Sequence, residues 1–424
     1  MLDIKLIREN PTLVKKNLEK RHDSEKMHML EELIRKDRQR LDVLKAVEAL
    51  RKQRNIVTKD ISEAKTKGKE IEKLAHQART IPKQIKEQEE KLNSLVLEID
   101  LLLAKLPNML HDTVPTGKDD KDNKEIRRAG KKPKFSFQPK NHAEILEKLG
   151  MLDLERGAKV AGHGFYYLKG DAVMLDIALQ RFALDFLRKK GFTVIGPPLM
   201  LNEEAFRGVT DWDTFSTQSY KIEGEDLRLI GTAEHPLGGM FKDEVLVQRD
   251  LPVLLAGVSA CFRKEVGAHG KYTKGLFRVH HFNKVEQFVF CHPKDSWAWH
   301  EKIQQNAEQL YKQLGLHFRV VNVCTGDIGD IAAKKYDIEV WMADNVFREA
   351  GSNSNCTDYQ TRNLHIKYRE KEGQPPAGFV HTLNNTALAT SRVMVALIEQ
   401  NQKKDGSVAV PKALWEYTGF KKLG

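Results

Sequence analysis

The run Leu276–Phe290 predicts a strand whose two faces differ in chemistry. Alternate side chains share a face, so Arg278, Phe282 and Glu286 would lie together, while the opposite face is rich in valine. The valine face predicts contact with a hydrophobic core. A cation, an aromatic ring and a carboxylate on the other face are suited to binding a charged ligand that carries a ring.

The preceding strand-like run leads into Arg263 and Glu265, which share a face in the same way. A hairpin would join both faces into one floor, and two guanidinium groups beside a flat ring fit the phosphates and the base of a nucleotide. The connecting loop, residues 267–275, holds three glycines and two lysines, which suits a bend around an anion. Its spacing does not match a Walker A loop. Ion pairs on a solvated sheet and a mobile basic loop are the alternatives.

Arg392 is the one charged residue in the apolar run 386–398, within a predicted helix that begins near Asn384. A helix that is apolar on nearly every side should be buried, and a buried cation is costly unless a fixed anion faces it. Either a protein carboxylate or a bound phosphate could be that anion.

Two further segments give weaker signals. Residues 347–358 predict a polar loop in which a carboxylate and hydroxyls could hold Mg²⁺, although most such loops hold no ion. Residues 231–236 predict a helix start with a threonine cap. The fifteen histidines include no HExxH or closely spaced His/Cys pattern, so no zinc is expected.

The elements that would position these residues begin with an N-terminal arm. Residues 27–106 contain one proline and one glycine, and apolar residues from Ile71 to Leu106 alternate spacings of three and four. Together with the basic turn 65–69, this pattern predicts two antiparallel helices of about 38 residues each, roughly 57 Å long. Such an arm either reaches for a partner or forms a dimerisation coiled coil.

The remaining chain divides at a polar segment, which gives three predicted regions: a helical hairpin over 1–111, a linker over 112–141 and a catalytic domain over 142–424. In the last region several strands follow one another without an intervening helix. This order favours an α+β fold with an antiparallel sheet.

Charge and composition narrow the class of protein. The chain of 424 residues has a net charge of +11, and residues 1–110 carry 25 Lys and Arg against 19 Asp and Glu. This excess is consistent with a phosphate-rich partner or with a solvated helix face. The apolar runs are too short to cross a bilayer, the N-terminus lacks a signal-peptide pattern, and the four cysteines are far apart. We therefore expect a reduced, soluble, cytoplasmic protein without a membrane partner.

Several segments together resemble the seryl-tRNA synthetases, a family of class II aminoacyl-tRNA synthetases, and their archaeal or eukaryotic-like branch in particular. Residues 261–265 with 275–286 are similar to motif 2 of the class, and residues 384–392 to motif 3. Residues 191–198 are similar to motif 1, whose proline lies at a dimer interface in the family. Residues 229–234 are similar to the family's serine-binding segment, and the helical hairpin also belongs to the family.

The resemblance implies a class II antiparallel sheet flanked by helices and a coiled-coil hairpin. It implies catalytic roles for Arg263 and Arg392. The implied serine-binding residues are Thr232, Ala233, Glu234, Arg263, Glu286, Asn384 and Thr386. The implied ATP-binding residues are Arg263, Lys264, Glu265, Arg278, Val279, Phe282, Glu349, Ala350, Gly351, Ser352 and Arg392, of which Glu349 and Ser352 would ligate Mg²⁺. The family often has serine where this chain has Gly351.

The implied activity is ATP-dependent formation of seryl-adenylate, followed by transfer of serine to serine tRNA, and a selenocysteine tRNA is a second potential acceptor. The implied partners are L-serine, ATP, tRNA held by the helical arm, and a second copy of the chain in a homodimer. A non-catalytic RNA-binding paralogue and a ligase for a carrier protein are the alternatives. The arginines Arg263, Arg278 and Arg392 argue against the former, and the long hairpin argues against the latter.

Overall fold

The computed structural model describes residues 1–266 and 275–424. It divides into two compact units, Met1–Met109 and Leu110–Gly424, which are described separately. Most of the predicted glycine-rich loop, residues 267–274, lies outside the described residues. Among the described helices, none is both long and apolar enough to cross a membrane.

The smaller unit is helical, as predicted. Its helices are α1 (Ile4–Glu9), α2 (Pro11–Glu19), α3 (Ser24–Thr66) and α4 (Glu72–Lys105). The Asp23 side chain accepts a hydrogen bond from the Lys26 N–H and so caps α3, and Gly68 takes a positive φ of 62° in the turn between the two long helices. At 1.5 Å per residue, the 43 residues of α3 extend about 65 Å.

Apolar side chains hold α3 against α4 along the predicted seam. Ile81 and Ile85 of this seam pack with Val57 of α3 in one cluster, and Leu95 of the seam packs with Val43 of α3 in another. The pattern predicted this spacing because residues three and four apart share one face of a helix. Ion pairs flank the seam, including Arg51 to Glu89 at 2.7 Å and the pair of Lys36 with Glu98.

The larger unit combines helices with one main sheet and smaller strand pairs. Its helices are α5 (His142–Lys148), α6 (Leu154–Ala161), α7 (Asp171–Lys189), α8 (Glu203–Val209), α9 (Trp212–Gln218), α10 (Glu234–Gly239), α11 (Ser296–Gln313), α12 (Tyr359–Asn363), α13 (Thr390–Asn401) and α14 (Trp415–Thr418). Its strands are β1 (Lys124–Ala129), β2 (Leu152–Asp153), β3 (Tyr167–Leu168), β4 (Thr193–Ile195), β5 (Met200–Leu201), β6 (Arg228–Leu229), β7 (Val245–Val247), β8 (Val253–Phe262), β9 (His281–Cys291), β10 (Phe318–Asn322), β11 (Lys334–Trp341), β12 (Phe347–Thr357), β13 (Lys367–Arg369), β14 (Gly378–Phe379), β15 (His381–Ala389), β16 (Val408–Ala409) and β17 (Lys422–Leu423).

The main sheet has the strand order β1-β10-β11-β12-β15-β9-β8-β4. Its described pairs are antiparallel except for the parallel pair of β4 with β8, so the predicted antiparallel α+β fold is confirmed. One face packs against α7, α11 and α13 in the largest hydrophobic cluster. Val285 and Val289 of β9 belong to this cluster, as the predicted valine face requires.

Three predicted elements differ from the structure. The strand predicted over Leu276–Phe290 begins at His281, so Arg278 precedes it. Residues 347–357, predicted as a loop, form the central strand β12, and the helix predicted to begin near Asn384 begins at Thr390, after strand β15. Hydrogen bonds between buried side chains explain the last two differences. The sequence pattern assigns polar residues to the surface, whereas here their amide groups find hydrogen-bond partners inside the protein. The Asn353 amide donates to the His300 carbonyl at 2.9 Å, and the Gln287 amide donates to Asn385 Oδ1 at 2.7 Å.

The predicted linker contains a strand of the main sheet. Within residues 112–141, β1 pairs with β10 over Lys124–Ala129, and the segment lies in the larger compact unit. Backbone hydrogen bonds therefore attach this part of the polar segment to the edge of the sheet.

Candidate active site

Two clefts are lined by residues that the sequence analysis assigned to the site. The carboxylate cleft, about 370 Å³, is lined by Glu234, Arg263, Lys284, Glu286, Asn384 and Thr386 among others. The arginine cleft, about 670 Å³, is lined by Phe277, Arg278, Asp337, Glu349 and Arg392 among others. Asp327, Lys335 and Glu349 line both clefts. The clefts therefore meet at one lysine and two carboxylates.

Glu234 lies at one side of the carboxylate cleft, at the first residue of α10. Its N–H donates to Thr232 Oγ1 at 3.1 Å, which is the threonine-capped helix start predicted from the sequence. Its Oε1 accepts hydrogen bonds from the Asn384 amide at 3.0 Å and the Gln360 amide at 3.1 Å. Burial, with the nearby charge of Glu286, raises the pKa of Glu234 to about 7. A ligand that brings a positive charge would favour the ionised form.

A buried ion pair forms the floor of the same cleft. Lys284 Nζ lies 2.6 Å from Glu286 Oε2, and the two side chains are 7% and 1% exposed. The Thr386 hydroxyl donates to the same Glu286 oxygen at 3.4 Å. Burial raises the pKa of Glu286, and the Lys284 ammonium opposes that rise. A carboxylate and a hydroxyl held side by side can bind a ligand hydroxyl.

Lys284 was not among the predicted site residues. The available signal was its position two residues before Glu286 on one strand face. Its charge alone gives no such indication, because lysine is common on surfaces, and only the burial of both side chains defines the pair.

Arg263 lies in the carboxylate cleft, directly after β8. Its Nε donates to the Gly231 carbonyl at 3.1 Å, and its guanidinium lies 5.4 Å from the centre of the Phe282 ring. β8 pairs with β9 in antiparallel register, but β8 ends at Phe262 and β9 begins at His281, so Arg263, Glu265 and Arg278 lie outside the strands predicted to carry them. Glu265 takes a positive φ of 48° and its Oε2 lies 3.7 Å from Arg278 Nη1.

Arg392 reaches the arginine cleft from the third residue of α13. It donates to the Glu349 carbonyl at 3.0 Å, lies 3.5 Å from Glu349 Oε2, and its guanidinium lies 5.0 Å from the centre of the Phe277 ring. Of the two anions considered for Arg392, the carboxylate is therefore present. Although burial opposes the change, Arg392 and Lys335 lower the pKa of Glu349 to about 2.

Oxygen atoms suited to Mg²⁺ lie where the clefts meet. The Ser352 hydroxyl donates to Glu349 Oε1 at 3.1 Å, and Asp337 pairs with Ser352 across β11 and β12. Oδ1 of Asp337 is buried and accepts no hydrogen bond from the described residues. Burial raises the pKa of Asp337 to about 7, and Lys335, 4.0 Å away, opposes the rise. Two carboxylates and a hydroxyl fit the ligand preference of Mg²⁺, although the described residues contain no cluster of three His, Cys, Asp or Glu side chains that could hold a metal.

Other predicted residues have side chains directed elsewhere. Ala233, Val279 and Ala350 are buried in the hydrophobic interior, so only their backbone could contact a ligand. Lys264 Nζ lies 5.7 Å from the centre of the Tyr220 ring, and the Lys264 backbone N–H donates to the Gln218 carbonyl at 2.9 Å.

Gly351 allows a close approach of β12 to β15. A Cβ at this position would lie 3.0 Å from Thr386 Cβ and 3.2 Å from its Cγ2. A serine at position 351, as is often found in the family, would therefore crowd the Thr386 side chain in the site.

Comparison with known proteins gives two family matches. Residues 215–401 match the class II core domain of tRNA synthetases for G, H, P, S and T, and residues 1–110 match the seryl-tRNA synthetase N-terminal domain. The catalytic core is thus that of a class II aminoacyl-tRNA synthetase.

Relatives over the full length narrow the class. The serine–tRNA ligase of Methanocella arvoryzae is 51% identical over 418 residues, 98% of each chain. The crystal structure of seryl-tRNA synthetase from Pyrococcus horikoshii complexed with ATP has a TM-score of 0.97 and 48% identity, and the match covers 100% of this chain and 99% of that one. The cytoplasmic enzyme of Naegleria fowleri in complex with AMP has a TM-score of 0.90 and 36% identity, over 100% and 98%. The chain belongs to the seryl-tRNA synthetase family.

Proposed function

We propose that this chain activates L-serine with ATP and transfers the seryl group to serine tRNA, the reaction for which its relatives are named. The observation that carries the proposal is the meeting of the two clefts at Asp327, Lys335 and Glu349. A cleft with carboxylate, amide and hydroxyl groups suits a small polar amino acid, and a cleft with arginines suits phosphates. Their junction is where an amino-acid carboxylate and an α-phosphate would meet.

In the carboxylate cleft, Glu234 accepts hydrogen bonds from the serine ammonium, with Thr232 and Asn384 beside it. The serine hydroxyl lies between Glu286 and Thr386. Alanine lacks this hydroxyl and leaves the buried polar groups without their ligand partner, so the site discriminates against it. The 2.6 Å ion pair of Lys284 with Glu286 favours an ionised acceptor.

From the carboxylate cleft, Arg263 contacts the α-phosphate and the serine carboxylate, while Arg278 and Arg392 in the arginine cleft hold the terminal phosphates. Phe282 and Glu265 bind the adenine, and the neighbouring backbone from Lys264, Val279, Ala350 and Gly351 completes the ATP site. Glu349 and Ser352, with Asp337 near them, would hold Mg²⁺, which when bound neutralises phosphate charge. The guanidinium groups are already held by contacts with Gly231 and Glu349, so little reorganisation accompanies binding.

The chemistry proceeds in two displacements without a covalent enzyme intermediate. A serine carboxylate oxygen attacks the α-phosphorus, the bond to the bridging oxygen breaks, and pyrophosphate leaves with the electron pair. A terminal ribose hydroxyl of the tRNA then attacks the carbonyl carbon of seryl-adenylate. The hydroxyl proton is lost to solvent or to the departing AMP, whose bond to the carbonyl breaks.

The helical hairpin supplies the tRNA contact. Lys65, Lys67 and Lys69 are exposed at the turn between α3 and α4, where phosphate contacts would make binding dependent on salt. Charging of a selenocysteine tRNA remains a prediction on the same surface.

A homodimer and a cytoplasmic location complete the proposal. Val173, Met174 and Ile177 of α7 are 37%, 44% and 51% exposed, and an apolar row of this kind supports burial against a second copy.

The first test is amino-acid-dependent ATP–pyrophosphate exchange with each of the twenty amino acids and Mg²⁺. Exchange with serine alone is expected, and exchange with another amino acid would refute the assignment of the carboxylate cleft. Arg263→Ala should abolish exchange, and activity within tenfold of wild type would contradict its role. Absence of exchange with every amino acid would favour the non-catalytic paralogue.

The acceptor is tested with the whole chain. Replacing Lys65, Lys67 and Lys69 by alanine should leave serine-dependent exchange unchanged and lower the rate of tRNA charging. Equal charging by the variant and the wild type at several salt concentrations would contradict the proposed contact of the turn.

A further inference from the structure

A buried histidine outside the family motifs contacts the backbone next to the arginine cleft. His142 is the first residue of α5 and is 1% exposed. Its Nε2 accepts a hydrogen bond from the Leu276 N–H at 3.0 Å. Leu276 precedes Phe277 and Arg278, both of which line the arginine cleft. The histidine thus contacts the segment that carries two cleft residues, although neither the sequence nor the proposed chemistry assigns it a role.

A buried carboxylate sets the tautomer of His142. Glu399 Oε1 lies 2.9 Å from His142 Nδ1 and also accepts the His142 backbone N–H at 3.1 Å. Glu399 Oε2 accepts the Ala343 N–H at 2.9 Å. Because the Leu276 N–H can only donate, Nε2 is the unprotonated nitrogen, and Nδ1 carries the proton that it donates to Glu399. The ring therefore links α13 to Leu276 in one orientation.

The chain at Gly275 is shaped around the same ring. Gly275 has a φ of 99°, and a Cβ at this position would lie 2.1 Å from His142 Nε2. The imidazole therefore occupies the space that a side chain at residue 275 would need. Leu276 and Phe277 are themselves buried in the large hydrophobic cluster, so a shift of this backbone would move both.

Phe277 and Arg278 connect the segment at Leu276 to the arginine cleft. The Phe277 ring lies under the Arg392 guanidinium, 5.0 Å from it, and Arg278 lies 3.7 Å from Glu265. Of the two arginines that the proposed function assigns to the terminal phosphates, Arg278 thus lies on the segment that His142 contacts, and Arg392 packs on the Phe277 ring of that segment.

We infer that His142 is a positioning residue for ATP: through Nε2 it holds Leu276 and thereby sets Phe277 and Arg278 at the phosphates. This inference rests on the proposed function, because it assumes that the arginine cleft binds ATP. The competing explanation is that the pair of His142 with Glu399 only anchors α5 to α13.

Two substitutions separate these explanations. An asparagine amide reaches about as far as Nδ1, so His142→Asn keeps a donor for Glu399 and loses the acceptor for Leu276. A glutamine carbonyl reaches about as far as Nε2, so His142→Gln keeps an acceptor for Leu276 and loses the partner of Glu399. Positioning through Leu276 predicts impaired ATP binding in His142→Asn and rescue in His142→Gln. Simple anchoring predicts the reverse order or equal loss.

The readouts are the Kd of ATP by calorimetry without serine and the KM values in serine-dependent exchange. An unsatisfied buried N–H should raise the Kd and KM of ATP about tenfold in His142→Asn. The KM of serine should stay within about twofold in both variants. Melting temperatures identify any general loss of folding, and the comparison between the two variants remains valid if both fall equally.

Equal ATP affinities in the two variants, or parallel rises in the KM of ATP and of serine, would overturn the inference. A wild type that binds ATP but exchanges with no amino acid would refute the proposed function and leave the comparison of ATP affinities decisive for His142. A wild type that binds no ATP would refute both.

Discussion

Replacing Lys284 by methionine should weaken serine binding while leaving ATP binding intact. The substitution keeps most of the side-chain volume but takes away the charge 2.6 Å from Glu286, whose side chain is 1% exposed. Removal of one partner of a buried ion pair costs about 3–5 kcal/mol when the other stays ionised. Glu286 avoids this cost by binding a proton, because burial already raises its pKa and Lys284 was the opposing charge.

A protonated Glu286 is a poorer acceptor for the serine hydroxyl, so the KM of serine should rise about a hundredfold at neutral pH, the equivalent of about 2.7 kcal/mol. The KM should fall again as rising pH ionises Glu286. Serine binding by the variant therefore improves as pH rises, whereas its folding stability should decrease. A carboxyl whose pKa is higher in the folded state binds more protons there, so stability is greatest at low pH and declines as pH rises towards the folded-state pKa.

The assay is serine-dependent ATP–pyrophosphate exchange between pH 6 and pH 9, with thermal unfolding at the same pH values. The matched control is the double variant Lys284→Met with Glu286→Gln, which removes both charges. It should recover folding stability, show only the pH dependence that Glu234 already gives the wild type, and keep a raised KM for serine. A KM of serine that is unchanged in Lys284→Met, or raised equally at every pH, would refute the role assigned to this pair.

Three further outcomes follow from the site and the arm. Burial raises the pKa of Glu234 to about 7, so the KM of serine should fall as pH rises through 7, because the ionised carboxylate binds the serine ammonium. Glu234→Gln should flatten this pH profile. A profile that is unchanged in the variant would contradict the assignment. Gly351→Ser places a Cβ 3.0 Å from Thr386 Cβ. It should raise the KM of serine several-fold and lower the stability measured by thermal unfolding by about 1–3 kcal/mol. Wild-type kinetics in this variant would show that the strands shift freely. Ile81→Ala removes a side chain from the seam of the arm and should cost about 2–5 kcal/mol locally, seen as faster amide exchange in α3 and α4 with unchanged pyrophosphate exchange; equal protection in the variant would contradict the packing.

Local patterns predicted the parts of the molecule that depend on local geometry. The seam positions of Ile81 and Ile85 follow from helical spacing, and the buried face of Val285 and Val289 follows from alternation along a strand. In each case neighbouring residues in the chain determine which side chains share a face.

Local patterns did not predict the polar residues of the central strands β12 and β15. Asn353 and Asn385 resemble loop residues by composition, yet both are fully buried in β12 and β15. Their side chains bond with His300 and Gln287, which are distant in sequence. A local pattern contains no information about such partners, and burial of a polar group is favourable only when they are present.

Spacing and composition predict the helical arm, the antiparallel class of the sheet and the residue types of the proposed nucleotide site, because these features depend on neighbours along the chain. Tertiary packing, by contrast, buries Lys284 against Glu286, places Lys335 where the clefts meet, and brings His142 into hydrogen-bond contact with the Leu276 backbone. Charge states and hydrogen-bond partners depend on burial and on distances of a few ångströms between remote segments. These distances exist only once the strands and helices are packed together.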